Sequence, residues 1–302
     1  MADILIRAGS FAAVIFLGYL LRQIGLFQES DFKLLSKVVM KVTFPAAVVT
    51  GFAGRQIERS MFVLMGLSFG CGVLYMLLAV VINLRKSKKQ RAFDILNLPG
   101  YNIGNFTMPF VQSFLGPAGL IATGIFDMGN AVITLGTAFG IASAVSSGAK
   151  FSIKRVLKAL SRSVPFITYV IMLILSLLHV TLPGFVTEFA SVVGAANPFL
   201  AMFMIGVGFR LGGEKGQFAK VLRLLSLRYG VAVMVALLFW FVLPFELEIR
   251  QALVILAFSP VGTAVPPFTG ELGGDVGLSS AYSSMSILVS IVITVCLLSV
   301  IL

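Results

Sequence analysis

The sequence predicts an all-α, polytopic membrane protein, and three observations support this prediction. Of the 302 residues, 58% are hydrophobic and 12% are charged, and the mean hydropathy is +1.03; soluble domains do not have such a composition. Apolar stretches of about 20 residues, long enough to cross a bilayer, recur along the chain. An interrupted apolar segment occurs twice, once in each half.

Ten apolar stretches are candidate transmembrane helices, numbered here as spans 1 to 10. They are expected near residues 3–21, 34–53, 61–84, 92–115, 118–146, 164–182, 188–211, 221–243, 248–272 and 277–301. Two cysteines and one histidine provide neither a disulfide framework nor a metal site. The sequence therefore predicts no metal, and no cofactor apart from a coupling H⁺ or Na⁺.

The net charge of +11 is a topology signal and does not indicate nucleic acid binding. With ten spans, 18 of the 23 basic residues fall on one side of the membrane, which is predicted to be cytoplasmic. They are Arg22, Lys33, Lys37, Arg85, Lys86, Lys88, Lys89, Arg91, Lys150, Lys154, Arg155, Lys158, Arg162, Arg210, Lys215, Lys220, Arg223 and Arg228. Both termini are then expected on the outer side, in a multi-pass protein of the bacterial inner membrane.

The chain is expected to contain two repeats of opposite orientation. Five spans precede residue 149 and five follow residue 163, and an odd number per half turns the second copy upside down. Residues 1–149 and 164–302 are the predicted five-helix repeats. The linker at 150–163 combines apolar and basic positions and predicts a short amphipathic helix on the cytoplasmic membrane surface. A plain charged loop is the alternative.

The repeated segments, residues 91–120 and 250–278, lie in spans 4 and 9. Each begins with Arg, passes through apolar residues and a Pro/Gly/polar patch, and stops at a Gly-rich turn. The prolines that interrupt the helices are Pro99, Pro109, Pro260 and Pro267. A proline removes a backbone hydrogen bond that lipid cannot replace. Matched interruptions indicate the binding site of a secondary transporter, although prolines can also simply kink packed helices.

The two breaks are predicted to cross near the membrane centre. The second half-helix of each span would then present unpaired, partly positive amide groups to one small volume, which suits an anion. Neutral donors and acceptors beside it are the predicted substrate-binding residues: Asn102, Gly104, Asn105, Thr107, Ser259, Gly262 and Thr263. No Lys or Arg occurs between Arg91 and Lys150, so the core is expected to hold the anion without a basic side chain.

Two polar stripes follow the breaks at the same helical spacing. Span 5 carries Thr123, Asp127, Asn130 and Thr134, and span 10 carries Ser279, Ser283, Ser286 and Ser290. Because lipid contact with such stripes is costly, we expect them to face the interior or a water-filled cavity. Asp127 and Asn130, together with Glu271, are the predicted coupling residues for a proton or cation. Interhelical packing is the alternative for the stripes, and solvation at the cytoplasmic edge for Glu271.

At these residues the chain resembles the auxin efflux carrier family. The paired segments, TFPAAVVTGF around Pro45 and AANPFLAMFMIGVG in span 7 carry the resemblance, which extends over essentially the whole chain. It implies inverted repeats with crossed broken helices, as in the bile acid:sodium symporters. It also implies an elevator-like mechanism with a scaffold of spans 1, 2, 6 and 7, and a homodimer through that scaffold. The crossover residues it implies are Asn102, Gly104, Asn105 and Pro109, with Ser259, Pro260, Thr263 and Pro267.

The expected function is secondary active transport of small organic anions, driven by a proton or ion gradient or by the gradient of the substrate. The resemblance implies malate or malonate for compact bacterial permeases, which this chain matches best, and indole-type acids for plant members. Sodium-coupled symport is one alternative, and a sensor with the transporter fold but no flux is another. An enzyme is not expected, because Gly66-Leu-Ser68-Phe-Gly70 matches G-x-S-x-G only by letter, inside an apolar helix. The predicted partners are the organic anion and the lipid bilayer.

Overall fold

The computed structural model of the protein describes residues 2–28, 30–55, 57–209 and 216–302. The regular elements in this part of the chain are helices, listed here in order. They are α1 Ala2–Gln23, α2 Asp31–Phe52, α3 Phe62–Ile82, α4 Lys88–Asn97, α5 Met108–Phe114, α6 Pro117–Ser147, α7 Ile153–Leu160, α8 Val164–Leu177, α9 Gly184–Gly208, α10 Phe218–Phe241, α11 Leu247–Ala257, α12 Val265–Glu271 and α13 Val276–Ile301. The predicted end of span 7, with Arg210, and Lys215 lie outside the described residues.

Seven of these helices are long and apolar enough to cross a membrane. They are α1, α2, α3, α6, α9, α10 and α13, and they coincide with predicted spans 1, 2, 3, 5, 7, 8 and 10. The pair α7 and α8, bent by 78°, would be an eighth. Many of their large apolar side chains are exposed, as expected where lipid is the solvent. The chain is therefore a multi-pass integral membrane protein, and the count of ten spans stays a prediction.

The structure breaks spans 4 and 9 where the sequence predicts interruptions. In span 4 the helix ends at Asn97, and helical structure resumes in a wide turn at Ile103 that leads into α5. In span 9 the helix ends at Ala257 and resumes at Val265. Gly100 has a φ of +84°, which a residue with a side chain adopts only with strain. Each predicted interruption is therefore a real gap in the helical hydrogen bonding.

Prolines begin the second half of each broken span. Pro109 lies in the first turn of α5, and Pro266 lies in the first turn of α12. The missing N–H of proline costs little at these positions, because the first amide groups of a helix have no helical partner. Pro109 and Pro266 are therefore compatible with the helices that they begin.

The linker contains the predicted helix, α7. Val156 and Leu160 are buried, and Val156 packs against Gly136 of α6. Ile153 and Leu157 are instead exposed, beside the basic residues of the same helix. Only half of the predicted apolar face is thus covered by protein.

The helices pack in two groups. The first group contains α1, α2, α8 and α9, in which α1 and α2 both pack along α9. The second group contains α3, α4, α6, α10, α11, α12 and α13. Glycines allow the closest approach within the first group, because Gly206 of α9 lies against the backbone of Ile15 and Gly194 lies against Ala47. A side chain at either glycine would meet backbone atoms that cannot move aside.

We expect Gly206→Val to destabilise the protein by about 1–3 kcal/mol, the usual cost of overpacking a tight contact. A Cβ atom at this position would overlap the carbonyl oxygen of Ile15. Thermal unfolding of the detergent-solubilised protein measures the effect. Gly66→Val in α3 is the matched control, since a Cβ atom there meets nothing within 4 Å. Equal stability of the two variants would contradict the close packing of α1 on α9.

Candidate functional site

The two breaks contact each other directly. The backbone N–H of Asn102 donates to the carbonyl oxygen of Pro260 at 2.8 Å. The Asn105 amide donates from Nδ2 to Thr263 Oγ1 at 3.3 Å. Segments distant in sequence therefore form one hydrogen-bonded crossing, as the sequence predicts.

A cavity of about 140 Å³ lies at this crossing. Both breaks, α6 and the first group of helices contribute to its wall. The breaks contribute Tyr101, Asn102, Ile103, Gly104, Asn105, Gly262, Thr263 and Ala264; α6 contributes Asp127, Asn130, Ala131, Thr134 and Leu135; and the opposite wall consists of Met40, Ser163, Pro165, Phe166 and Tyr169. Asp127 is the only carboxylate among these residues, and none of them is a Lys, Arg or His.

Two side-chain amide atoms of the cavity wall, like the hydroxyl of Tyr101, have no hydrogen-bond partner in the described part of the chain. They are Nδ2 of Asn102 and Oδ1 of Asn105, and both side chains are 4% exposed. Buried polar atoms are nearly always hydrogen-bonded, so such atoms call for a ligand or water. Together they offer one donor and one acceptor to a molecule in the cavity.

Asp127 is tied to the first break through Asn130. Asp127 Oδ1 accepts a hydrogen bond from Asn130 Nδ2 at 2.9 Å, and its Oδ2 accepts one from the Tyr169 hydroxyl at 3.2 Å. Asn130 also binds the backbone of Tyr101, because Oδ1 accepts from the N–H and Nδ2 donates to the carbonyl, both at 2.9 Å. The polar stripe of α6 therefore supports the first break and lines the cavity; Thr123 is buried farther along it.

The serine stripe of α13 supports the second break in a similar way. Ser286 Oγ accepts from the N–H of Val261 at 3.1 Å, and Ser290 Oγ donates to the carbonyl of Phe258 at 2.6 Å. Ser279 Oγ donates to Asn97 Oδ1 at 2.6 Å. All four serines of the stripe, Ser283 included, are buried. The expectation that both stripes face the interior is confirmed.

Three predicted site residues lie away from the cavity wall. Thr107 and Ser259 are fully buried and bonded to each other through their hydroxyl groups, so they join the breaks and do not face the cavity. Glu271 is about half exposed and forms an ion pair with Arg155 of α7 at 2.9 Å. The structure therefore separates Glu271 from Asp127 and Asn130, and places it at the edge of the protein.

The prediction that the core lacks a basic side chain is wrong. Arg228, assigned from the sequence to the cytoplasmic charges, lies inside α10 and is fully buried. Its guanidinium donates to the carbonyls of Leu98 at 2.7 Å, Gly100 at 2.9 Å, Ser259 at 2.8 Å and Pro260 at 3.2 Å. The available signal was its position, because residue 228 falls within predicted span 8.

Asp94 is a second buried charge that the sequence reasoning did not single out. It is fully buried in α4 and accepts hydrogen bonds from Arg223 Nη2 at 2.9 Å and Asn83 Nδ2 at 2.8 Å. Its charge is thus paired and hydrogen-bonded, as a buried carboxylate requires. This ion pair holds α4 against α10 away from the cavity.

Membrane-crossing helices, two broken helices that meet, and a small polar cavity between them are typical of a membrane transport protein. In agreement, the family model described as membrane transport protein matches residues 11–150. The matched stretch contains the first break and Asp127, and it confirms the resemblance to the auxin efflux carrier family over these residues. Members of this family are transporters and not enzymes. Among curated proteins, none matches the chain.

Proposed function

We propose that the protein is a secondary active transporter of small organic anions, which bind in the cavity at the crossing. The observation that carries this proposal is the pair of unpartnered amide atoms of Asn102 and Asn105 in the cavity wall. An amide N–H is a suitable donor to a carboxylate oxygen, and an amide oxygen can accept from a hydroxyl group of the same acid. Among the substrates that the family resemblance implies, malate contains both groups, and an indole-type acid contains the carboxylate and a ring N–H that can donate in place of the hydroxyl group.

A proton is the coupling ion that we favour. Asp127 is the only carboxylate among the described residues of the cavity wall, and a negative charge there would repel an anionic substrate. Protonation of Asp127 removes this repulsion, so proton and anion would bind together. Sodium is the alternative coupling ion, with Asp127 as a ligand, but a single carboxylate already engaged by Asn130 and Tyr169 is a sparse site for a cation.

Alternating access would come from movement of the second helix group against the first. The cavity supports this proposal because its two walls belong to different groups: the breaks and α6 on one side, and α2 and α8 on the other. We extend the proposal to ten spans in two inverted repeats. The repeats are supported by the parallel contacts of Asn130 with the first break and Ser286 with the second. Both termini would then lie outside the bacterial inner membrane.

The test is uptake of radiolabelled malate into proteoliposomes that contain the purified protein, with an imposed pH or sodium gradient. We expect uptake that an inward proton gradient accelerates and that a sodium gradient leaves unchanged. Liposomes without protein and a proton ionophore are the controls. Acceleration by sodium alone would establish the sodium symporter. If malate is not taken up, indole-3-acetate is tested next. Saturable binding of either acid without flux would favour a sensor. The absence of both binding and flux for both acids would overturn the proposal.

A further inference from the structure

Arg228 is a buried cation whose role the proposed binding site does not yet explain. Within the described part of the chain, no carboxylate forms an ion pair with it. The titratable side chains around the guanidinium are the phenols of Tyr75, Tyr101, Tyr229 and Tyr282. A charged group inside a membrane protein is costly to bury, and such groups mark functional positions.

The guanidinium of Arg228 lies at the C-terminal ends of two helices. Leu98 and Gly100 follow the end of α4, and Ser259 and Pro260 follow the end of α11. The carbonyl end of a helix carries roughly −0.5 of an elementary charge. Both negative ends point into the crossing, where they would repel an anion, and one guanidinium offsets both of them.

A continuous chain of hydrogen bonds connects Arg228 to Asp127. The peptide group between Gly100 and Tyr101 accepts from Arg228 at its oxygen and donates from its N–H to Asn130 Oδ1. Asn130 Nδ2 then donates to Asp127 Oδ1. Hydrogen bonds in such a chain polarise one another, so the charge of Arg228 acts on Asp127 through the peptide and the amide.

The second break repeats half of this arrangement. The peptide group between Pro260 and Val261 accepts from Arg228 at its oxygen and donates from its N–H to Ser286 Oγ. The Ser286 hydroxyl donates its own hydrogen bond to the carbonyl of Ser283, so this chain of hydrogen bonds does not lead to an acid. The charge of Arg228 is therefore linked to a titratable acid on one side of the crossing only.

We propose that Arg228 is a positioning residue that makes the crossing electropositive and couples anion binding to the protonation of Asp127. This proposal rests on the function proposed above. While the cavity is empty, ionised Asp127 balances Arg228 across the first break. When Asp127 is protonated, the positive charge of Arg228 is no longer balanced, and the bound anion balances it instead. The other groups facing Asp127, Asn130 and Tyr169, remain neutral throughout.

The experiment compares Arg228→Gln, which removes the charge, with Arg228→Lys, which keeps it. Uptake of the radiolabelled acid that the wild type transports, malate or indole-3-acetate, is measured across a pH series. Arg250→Gln is the matched control, because it makes the same change of charge and because, among the described residues, the Arg250 guanidinium donates only to the carbonyl of Trp240, whose ring it also contacts. Detergent-solubilised variants are first checked for a monodisperse elution profile and for thermal unfolding.

For Arg228→Gln we expect KM to rise about tenfold or more and the pH of half-maximal uptake to move upward, since loss of the positive charge makes protonation of Asp127 easier. For Arg228→Lys we expect a KM within about threefold of the wild type. A purely structural role of Arg228 predicts instead that this variant loses transport, because one ammonium group cannot reach four carbonyls. An unchanged KM and pH profile in Arg228→Gln would overturn the proposal. A tenfold loss of uptake in a folded Arg228→Lys variant would also overturn it.

Asp127→Asn tests the proposal even where the Arg228 variants do not fold. Here the charge of Arg228 is always unbalanced, so the acid should bind at neutral pH as tightly as it binds to the wild type at low pH. Binding no tighter than that of the wild type at neutral pH would contradict the coupling. If the wild type transports neither acid, the proposed function itself fails; if it does, and the Arg228 variants behave as the wild type, only the role of Arg228 fails.

Discussion

Asn105→Ala is expected to lower uptake at subsaturating substrate by about tenfold or more while the protein stays folded. In the structure Nδ2 joins the breaks by donating to Thr263, and Oδ1 is buried without a hydrogen-bond partner among the described residues. A hydrogen bond between neutral groups contributes about 0.5–1.5 kcal/mol, so the loss of both bonds, to Thr263 and to the substrate, corresponds to about a tenfold effect or more. Initial rates in proteoliposomes, normalised to the amount of protein inserted, measure the loss.

Ser299→Ala is the control for this variant, because the Ser299 hydroxyl binds only the Cys296 carbonyl on the exposed face of α13. It should transport as the wild type does. If Asn105→Ala is inserted normally and transports at the wild-type rate, the substrate does not bind at the crossing as we place it.

Asp127→Asn is expected to make uptake independent of pH between about 5 and 8, the range in which transport by the wild type should rise as the pH falls. Asparagine retains the size of the side chain and can still bind Asn130 or Tyr169, but it cannot gain or lose a proton. An imposed proton gradient should therefore no longer drive accumulation, although the acid can still equilibrate. Uptake with and without the gradient, across the pH series, distinguishes the two cases.

Glu188→Gln makes the same chemical change on an exposed carboxylate of α9. Its pH profile should match that of the wild type. An Asp127→Asn profile that also matches the wild type would limit Asp127 to a packing role and exclude it from coupling.

The breaks and the polar stripes were predictable from the sequence because their causes are local. A proline interrupts a helix by its own chemistry, as Pro99 and Pro260 do here, and Pro109 suits the first turn of the helix that follows. The stripe through Asp127 and Asn130 follows from helical spacing alone. The meeting of the two breaks was predictable from the similar segments at residues 91–120 and 250–278.

The detailed roles of single residues depend on contacts that no local pattern specifies. Thr107 and Ser259 are polar residues within the broken spans, but their hydroxyl groups satisfy each other. Glu271 follows the second break closely, yet the linker helix brings Arg155 to it. Arg228 shares α10 with Lys220 and Arg223, which lie closer to the start of the helix, and only the packing of α10 against both breaks identifies it as part of the core.

The position of Arg228 also determines the order in which the protein can be assembled. Its partners Leu98 and Gly100 precede it by 130 and 128 residues. As the chain enters the membrane, the carbonyls of Leu98 and Gly100 lack the hydrogen-bond donor Arg228 until α10 has been inserted, and lipid provides no donor. The first half alone therefore cannot complete its own broken helix. The crossing is a late product of biogenesis, formed when the second half arrives.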